Sequence, residues 1–158
     1  MTRVGLGYDI HRFVPGRPLI LAGVTFDSDL GLEGHSDADV ILHAVADALL
    51  GAAALGDIGD HFPPSDERWR DADSGELLRT VVAMIDDRFS VTNVDVTLVG
   101  EQPRIAPKRL EMRESLARLL GIALDCASIK ATTNERLGAL GRAEGLAALA
   151  TVLLEERG

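Results

Sequence analysis

The chain has 158 residues, among which 16 basic and 25 acidic side chains give a formal net charge of −9. This charge argues against nonspecific nucleic-acid binding through a basic surface, and a phosphate-bearing substrate would need metal ions to offset it. The length fits a single domain over residues 1–158, with enough chain to bury its own core.

The single cysteine and the hydropathy of the sequence indicate the cellular compartment in which the protein functions. Cys126 is the only cysteine, which excludes an internal disulfide and favours a reducing environment. The N-terminal residues lack the apolar region of a signal peptide. Because no apolar run approaches the roughly 18 residues of a membrane span, the sequence predicts a cytoplasmic protein without a membrane partner.

Two strands are predicted at the start of the chain, over residues 4–10 and 18–26. Gly5 and Gly7 lie within the first strand, where the missing side chains would let another backbone or a ligand approach closely.

A long helix and several shorter elements follow. Residues 37–55 are predicted to be helical because apolar side chains recur on one stripe, and Ser36 with Asp39 resembles a capping box at the helix start. The other predicted elements are a helix over 75–88 capped by Asp73 or Ser74, a strand over 94–98, a helix between Pro107 and Gly121, and a strand over 128–132. Residues 143–155 fit both a helix, by composition, and a strand, by alternation. The class is mixed α and β.

Asp9, His11 and His43 are candidate metal ligands. Side chains two residues apart in a strand point to one face, so Asp9 and His11 would converge, while His43 would arrive from the long helix. Two imidazoles and one carboxylate leave the fourth tetrahedral position of zinc open to water or a phosphate oxygen, as in catalytic sites. The alternatives are a solvated strand end and a buried, hydrogen-bonded helical histidine.

Two acidic residues could orient His43. Asp39 and Asp47 lie four residues to either side of it on the predicted helix, so either could accept a hydrogen bond from the ring nitrogen that does not face the metal. The alternative for both is ordinary charge on a helix surface.

Three other polar segments suit phosphate or polyol binding. His35 and Ser36 precede the long helix, whose amides and dipole favour a phosphate, although Ser36 could equally be a simple cap. Residues 130–135 combine hydroxyls with a carboxylate, which suits phosphate and a hard cation, or form a plain turn. Residues 57–66 offer carboxylates for sugar or polyol hydroxyls, or form a polar connection.

The order of these motifs is more specific than any one of them. The motifs occupy residues 7–11, 34–39, 43–52, 56–59, 93–97, 130–135 and 141–145. Together they closely resemble the 2-C-methyl-D-erythritol 2,4-cyclodiphosphate synthase family, the cyclising enzymes of the non-mevalonate isoprenoid pathway. The resemblance covers essentially the whole chain.

The resemblance implies a role for each site residue. Zinc, or another divalent transition metal, would bind Asp9, His11 and His43, and His35 with Thr133 would support the transition state. Magnesium or manganese would bind Glu135 between the two phosphates. The implied substrate-binding residues are Ser36, Asp57, Gly59, the mobile-loop residues Phe62, Ser65 and Asp66, the cytidine-pocket residues Gly100, Pro103, Arg104, Ile105, Ala106, Ala131 and Thr132, and Arg142.

The implied reaction needs no protein nucleophile. In 4-diphosphocytidyl-2-C-methyl-D-erythritol 2-phosphate, an oxygen of the 2-phosphate attacks the β-phosphorus, expels CMP and closes the ring. A metal-dependent phosphorus–oxygen lyase of this kind works by positioning and charge neutralisation. The sequence agrees, since it contains no convincing Ser-His-Asp or Cys-His constellation.

The resemblance also implies an assembly. Family members are α+β proteins in which a mixed sheet of about four strands carries helices on one face, and the sheets face inward in a homotrimer with active sites between subunits. This arrangement implies a strand at residues 143–155. Arg142 and Glu144 match one end of the central cavity, where an isoprenoid diphosphate binds in some members. Ala139 replaces an aromatic residue often seen there, which argues against a tight isoprenoid site.

Two rival functions stay open at this point. A zinc-dependent phosphohydrolase would use zinc-bound water as its nucleophile and would release inorganic phosphate. A clear general base beside the zinc would favour this function, and the sequence offers none beyond His35. A non-catalytic trimeric isoprenoid-binding protein, with a structural zinc, would tolerate replacement of Thr133 or Glu135.

Overall fold

The computed structural model describes residues 1–158. The strands are β1 (Thr2–Pro15), β2 (Leu19–Leu21), β3 (Val24–Phe26), β4 (Leu30–Leu32), β5 (Phe89–Val99), β6 (Ala127–Thr132) and β7 (Gly145–Glu156). The helices are α1 (Val40–Ala53), α2 (Ile58–His61), α3 (Ser74–Ile85), α4 (Arg109–Leu120) and α5 (Gly138–Gly141). None of these helices is both long and apolar enough to cross a membrane.

The main sheet is mixed and has five strands in the order β4-β1-β7-β5-β6, rather than about four. Only the β5–β6 pair is parallel. The predicted strand over 18–26 is instead the β2–β3 hairpin, which forms a separate two-stranded sheet. It turns at Ala22 and Gly23, whose φ angles of 53° and 75° interrupt extended backbone.

The β1–α1 contact is unusually close, because Gly5 and Gly7 face the helix. A Cβ atom at Gly5 would lie 1.9 Å from the carbonyl oxygen of Ala48, and one at Gly7 would lie 1.8 Å from that of Ala44. The prediction that these glycines admit another backbone is confirmed. Since side chains alternate along a strand, the next residues on the same face, Asp9 and His11, also point towards α1.

The long helix begins at Val40, three residues later than predicted, and its N-cap is Asp39. The Asp39 carboxylate accepts hydrogen bonds from the N–H groups of Leu42 (3.1 Å), Ala22 (3.0 Å) and Gly23 (2.7 Å). The capping box beginning at Ser36 was therefore wrong, because Ala38 has a φ of 58° and breaks the helical path. Burial raises the pKa of Asp39 to about 6, although the three N–H donors favour the ionised form.

The later elements follow the predictions more closely. Asp73 caps α3, and Gly121 ends α4 in the left-handed conformation, as expected. Pro107 lies in a 3-10 turn, Ala106–Lys108, just ahead of α4. The ambiguous tail is the strand β7, which lies between β1 and β5, so pairing on both sides outweighs the helical propensity of its alanines and leucines.

The two faces of the sheet differ. Helix α1 packs on β1 and β7, and α4 packs on β6, so the helices cover one face, as the family resemblance implied. On the other face, side chains of β1 form an apolar row that is 48% to 68% exposed and consists of Val4, Leu6, Tyr8 and Ile10. We call this set the β1 row. Exposed apolar patches of this kind mark interaction surfaces.

Candidate metal centre and active site

Three ligand atoms converge where β1 meets α1. Asp9 Oδ2 lies 2.8 Å from His11 Nε2 and 3.1 Å from His43 Nδ1, and the two ring nitrogens are 3.3 Å apart. In a tetrahedral zinc site with bonds of about 2.0–2.1 Å, neighbouring ligand atoms are roughly 3.3 Å apart. The triad is therefore a suitable size for such an ion after slight opening, and its three ligands would leave one position free.

His11 is held in the orientation that a metal ligand needs. Its Nδ1 lies 2.7 Å from the carbonyl oxygen of Glu33, which can only accept a hydrogen bond. Nδ1 therefore carries the proton, and in the neutral ring Nε2 presents a lone pair to the triad.

His43 is oriented by serines, and the two acidic residues proposed from the sequence serve the fold instead. Its Nε2 lies 2.9 Å from Ser74 Oγ and 3.1 Å from Ser36 Oγ. Asp39 caps α1, and Asp47 accepts a hydrogen bond of 2.8 Å from the N–H of Ile58. The interpretation that Asp39 or Asp47 orients the ring was wrong, because both carboxylates are engaged by backbone N–H groups.

The electrostatics of the triad favour a cation. Burial raises the pKa of Asp9, but hydrogen bonds with His11 and His43 outweigh this and lower it overall. Burial lowers the pKa of His43, but the hydrogen bond with Asp9 and the Asp9 charge outweigh this and raise it. Without a metal, Asp9 thus stays ionised and favours a proton on His43, which a metal ion would have to displace.

A cavity of about 210 Å³ opens beside the triad. Besides the three ligands, it is lined by His35, Ser36, Ile58, Gly59, Phe62, Pro64, Trp69 and Leu77. The structure therefore joins four predicted substrate or catalytic residues, His35, Ser36, Gly59 and Phe62, to the metal triad. We call this space the metal pocket.

Three further predicted substrate residues, Asp57, Ser65 and Asp66, do not line the metal pocket, but each lies within two residues of one that does. Asp57 is exposed and caps α2 by accepting the N–H of Asp60 at 3.1 Å. Asp66 pairs with Arg68, whose hydrogen bond lowers the Asp66 pKa, and Ser65 beside it is exposed. Phe62 packs edge-on against Trp69, with ring centroids 4.7 Å apart. Sequence reasoning missed Trp69, although a tryptophan within a polar stretch was the available signal.

A second cavity, of about 280 Å³, lies at the ends of β5 and β6. Every residue predicted for the cytidine pocket lines it, namely Gly100, Pro103, Arg104, Ile105, Ala106, Ala131 and Thr132. Thr133 also lines it, and Glu135 follows on an exposed turn with a φ of 50°. We call this space the strand-end pocket. Glu101, which sequence reasoning missed, supports the turn by accepting the N–H of Asn134 at 2.8 Å.

Within one chain the two pockets stay apart. They share no lining residue, so His35 of the metal pocket and Thr133 of the strand-end pocket are not brought together. Arg142 belongs to neither pocket and pairs with Glu144 at 2.6 Å. Ala139 and Glu144 line a separate cavity of about 220 Å³ beside Ile10.

Comparisons with known proteins find matches over essentially the full length of the chain. The YgbB family model matches residues 2–155. The chain belongs to the YgbB family. A 2-C-methyl-D-erythritol 2,4-cyclodiphosphate synthase from Symbiobacterium thermophilum is 55% identical over 155 residues, which cover 98% of this chain and 99% of that protein.

Solved structures extend the YgbB match to the fold. A 2C-methyl-D-erythritol-2,4-cyclodiphosphate synthase with bound CDP superimposes with a TM-score of 0.89 at 38% identity, over 97% of this chain and 100% of that one. The bifunctional IspDF of Campylobacter jejuni gives a TM-score of 0.95 at 38% identity, over 99% of this chain and 43% of that longer one. The YgbB fold therefore accounts for essentially all of this chain.

Proposed function

We propose that this chain is a metal-dependent phosphorus–oxygen lyase that converts 4-diphosphocytidyl-2-C-methyl-D-erythritol 2-phosphate into 2-C-methyl-D-erythritol 2,4-cyclodiphosphate and CMP in the non-mevalonate isoprenoid pathway. Membership of the YgbB family and the synthases among its relatives support this proposal. The observation that carries it is the Asp9–His11–His43 triad, open on one side to a cavity that also contains His35 and Ser36.

The donor set indicates which ions would bind. Two imidazoles and a carboxylate suit zinc or a similar divalent transition metal, and Glu135 offers an exposed carboxylate oxygen of the type that magnesium or manganese prefers. Bound there, the ions would neutralise phosphate charge in a protein whose own net charge is −9.

The protein's own residues would hold the substrate in a reactive geometry. Asp57 and Gly59 would hold the erythritol hydroxyls, with Phe62, Ser65 and Asp66 over them, and the strand-end pocket is the candidate site for cytidine. His35, Ser36 and Thr133 would fix the phosphates. As the 2-phosphate oxygen bonds to the β-phosphorus, the bond from that phosphorus to the CMP oxygen breaks, and CMP leaves. Holding the reacting groups in line supplies most of the catalysis.

A complete site would require a second copy of the chain. The separation of the two pockets, together with the exposed β1 row, supports a homotrimer in which the metal pocket of one subunit meets the strand-end pocket of the next, with the sheets facing inward. Each subunit would be one synthase domain spanning residues 1–158. An isoprenoid diphosphate in the central cavity is a weaker candidate ligand, because Ala139 is small and Arg142 is already paired with Glu144.

We further propose that the protein does not bind nucleic acid and functions in the cytoplasm. The negative net charge supports a protein that does not bind nucleic acid, and the single cysteine supports a reducing, cytoplasmic location.

The test is to incubate the purified protein with the cytidyl substrate, zinc and magnesium, and to follow the products by phosphorus NMR. We expect CMP and the cyclic diphosphate in equal amounts, with no product from His43→Ala and normal turnover by Arg79→Ala, a control on α3 outside both pockets. Inorganic phosphate without cyclic product would support the phosphohydrolase. A folded, zinc-loaded trimer without turnover would support the isoprenoid-binding protein.

A further inference from the structure

The outer nitrogen of His43 faces a buried hydrogen-bond chain. Nε2 lies 2.9 Å from Ser74 Oγ, and Ser74 is 0% exposed while His43 is 6% exposed. Ser74 Oγ in turn donates to Asp37 Oδ1. The chain therefore runs from a metal-ligand candidate on α1, through the first residue of α3, to a carboxylate in the loop before α1.

The carboxylate determines where the serine proton points. An ionised carboxylate can only accept hydrogen bonds, and a serine hydroxyl has one proton. Because that proton is directed at Asp37, Ser74 Oγ has only lone pairs to offer His43. The contact is then satisfied only if Nε2 carries a proton, so in the neutral ring Nδ1 is the unprotonated nitrogen that faces Asp9 and the triad.

Asp9 opposes this preference. It lies 3.1 Å from Nδ1, so in the metal-free protein it favours a proton on that nitrogen instead. The contacts with Ser74 and Asp9 thus favour different tautomers of His43. Metal binding through Nδ1 requires the tautomer that Ser74 favours, with the proton on Nε2. Ser36 Oγ also lies 3.1 Å from Nε2 and accepts the N–H of Ala38 at 3.2 Å. Because no carboxylate binds its proton, Ser36 can either donate to Nε2 or accept from it, and it does not select a tautomer as Ser74 does.

The hydrogen-bond chain is held in place at Asp37, its end farthest from the metal triad. Asp37 Oδ2 accepts the N–H of Ser74 at 3.0 Å, and Asp37 Oδ1 accepts that of Asp39 at 3.1 Å. The N–H of Asp37 donates to the carbonyl oxygen of Ala72 at 3.1 Å. These bonds join the loop before α1 to the start of α3, so the carboxylate cannot turn away from Ser74 without breaking backbone contacts.

We propose that Asp37 and Ser74 are positioning residues, which hold His43 in the tautomer that binds a metal through Nδ1 and so strengthen metal binding. This inference rests on the metal triad of the proposed function. It deepens that function by assigning a role to two residues that do not touch the substrate or the ion.

The decisive variant is Asp37→Asn, which keeps the shape but loses the charge that fixes the serine proton. With the amide oxygen at the Oδ2 position it still accepts the N–H of Ser74, and the amide nitrogen then gives Ser74 Oγ a donor in place of an acceptor. The serine proton would then turn towards His43 and favour the tautomer protonated at Nδ1. Loss of such outer contacts typically weakens metal binding about 10-fold to 100-fold. We expect this loss for Asp37→Asn and for Ser74→Ala, measured by zinc competition with a chromophoric chelator.

The matched control is Asp47→Asn, which makes the same charge change four residues from His43 but removes no contact with the ring. Nitrogen-15 NMR of the metal-free protein, at a pH where His43 is neutral, reads the tautomer directly. We expect the fraction of rings that carry the proton on Nε2 to fall in Asp37→Asn and to stay unchanged in Asp47→Asn.

The possible outcomes distinguish a failure of the positioning role from a failure of the proposed metal site. If the wild-type protein binds no zinc, the metal triad itself is wrong, and this inference is overturned with it. If the wild type binds zinc and the two asparagine variants lose the same affinity, or the tautomer does not change, only the positioning role is overturned. Thermal unfolding of each metal-free variant distinguishes lost positioning from lost folding, and Ser74→Ala provides the test if Asp37→Asn does not fold.

Discussion

The metal pocket and the strand-end pocket are built in opposite ways. The metal pocket rests on the β1–α1 contact, where His43 is 6% exposed and Asp39 is 0% exposed. The strand-end pocket lies on the ends of β5 and β6, where Ala131, Thr132 and Thr133 are all exposed. A buried strand and helix can hold ligand atoms in place within one chain, whereas exposed strand ends form a surface that a second chain could complete.

The largest effect is expected from a substitution at the β1–α1 contact, which supports the metal pocket. In Gly7→Ala, the new Cβ would lie 1.8 Å from the carbonyl oxygen of Ala44, so α1 would have to move off β1. We expect a destabilisation of at least about 3 kcal/mol in urea unfolding, at the upper end of overpacking effects, together with loss of zinc binding.

The control is Gly51→Ala on the same helix. A Cβ atom at Gly51 would have no atom within 4 Å apart from its chain neighbours and the backbone of its own helix, so alanine should stabilise α1 by about 0.5–1 kcal/mol. Equal destabilisation by both variants would contradict the special role of the β1–α1 contact.

Mixing two inactive variants tests whether the pockets combine between subunits. His43→Ala damages only the metal pocket, and Thr133→Ala damages only the strand-end pocket. If the chain forms the proposed homotrimer and equal amounts mix at random, about one quarter of the interface sites would have both halves intact. Co-refolded protein should therefore release CMP at about a quarter of the wild-type rate, while each variant alone stays inactive. No recovery in verified mixed trimers would place the whole site within one chain.

The buried cap of α1 predicts a pH dependence of stability. Because burial raises the Asp39 pKa to about 6, the folded state binds this proton more tightly than the unfolded state does. The Asp39 contribution is therefore most favourable below about pH 4 and is lost as pH rises to about 6, by on the order of 3 kcal/mol. Urea unfolding across this range should show a smaller decline for Asp39→Asn than for the wild type.

Asp73→Asn is the matched control, since Asp73 caps α3 in the same way but is exposed. A decline with pH that is identical in the wild type and Asp39→Asn would show that burial of Asp39 does not set it.

The smallest effect is expected at Arg17, which supports the loop of the metal pocket. Its guanidinium donates to the carbonyl oxygen of Gly34 at 2.7 Å and to that of Ser36, on either side of His35. A lysine cannot reproduce this two-pronged contact. We expect Arg17→Lys to lower kcat on the order of tenfold, as for loss of one charged hydrogen bond, with unchanged zinc affinity.

Arg113→Lys is the corresponding control. Arg113 also bridges two carbonyl oxygens, those of Ala127 and Leu124, but it lies outside both pockets. If both lysine variants lowered kcat alike, the effect would reflect general loosening rather than the loop around His35.

Regular patterns in the sequence were sufficient to predict the parts of the site that lie within single elements. The two-residue period of β1 placed Asp9 and His11 together, and helical periodicity placed His43 on α1. The supporting residues were not predictable in this way, because Glu33, Asp37 and Ser74 come from loops and helix ends that only the tertiary fold brings to the triad. The start of α1 was misplaced for the same reason, since two of the N–H groups bound by Asp39 belong to the distant β2–β3 hairpin.

The alternation along β1 leaves this strand no spare positions. Its odd-numbered residues, Gly5, Gly7, Asp9 and His11, face α1, and its even-numbered residues form the β1 row. A one-residue insertion or deletion near the start of β1 would exchange these two sets, because successive side chains point to opposite faces. The change would disrupt helix packing, metal binding and the apolar outer surface at the same time. We therefore expect natural length variation in this protein to occur in its loops and not in this strand.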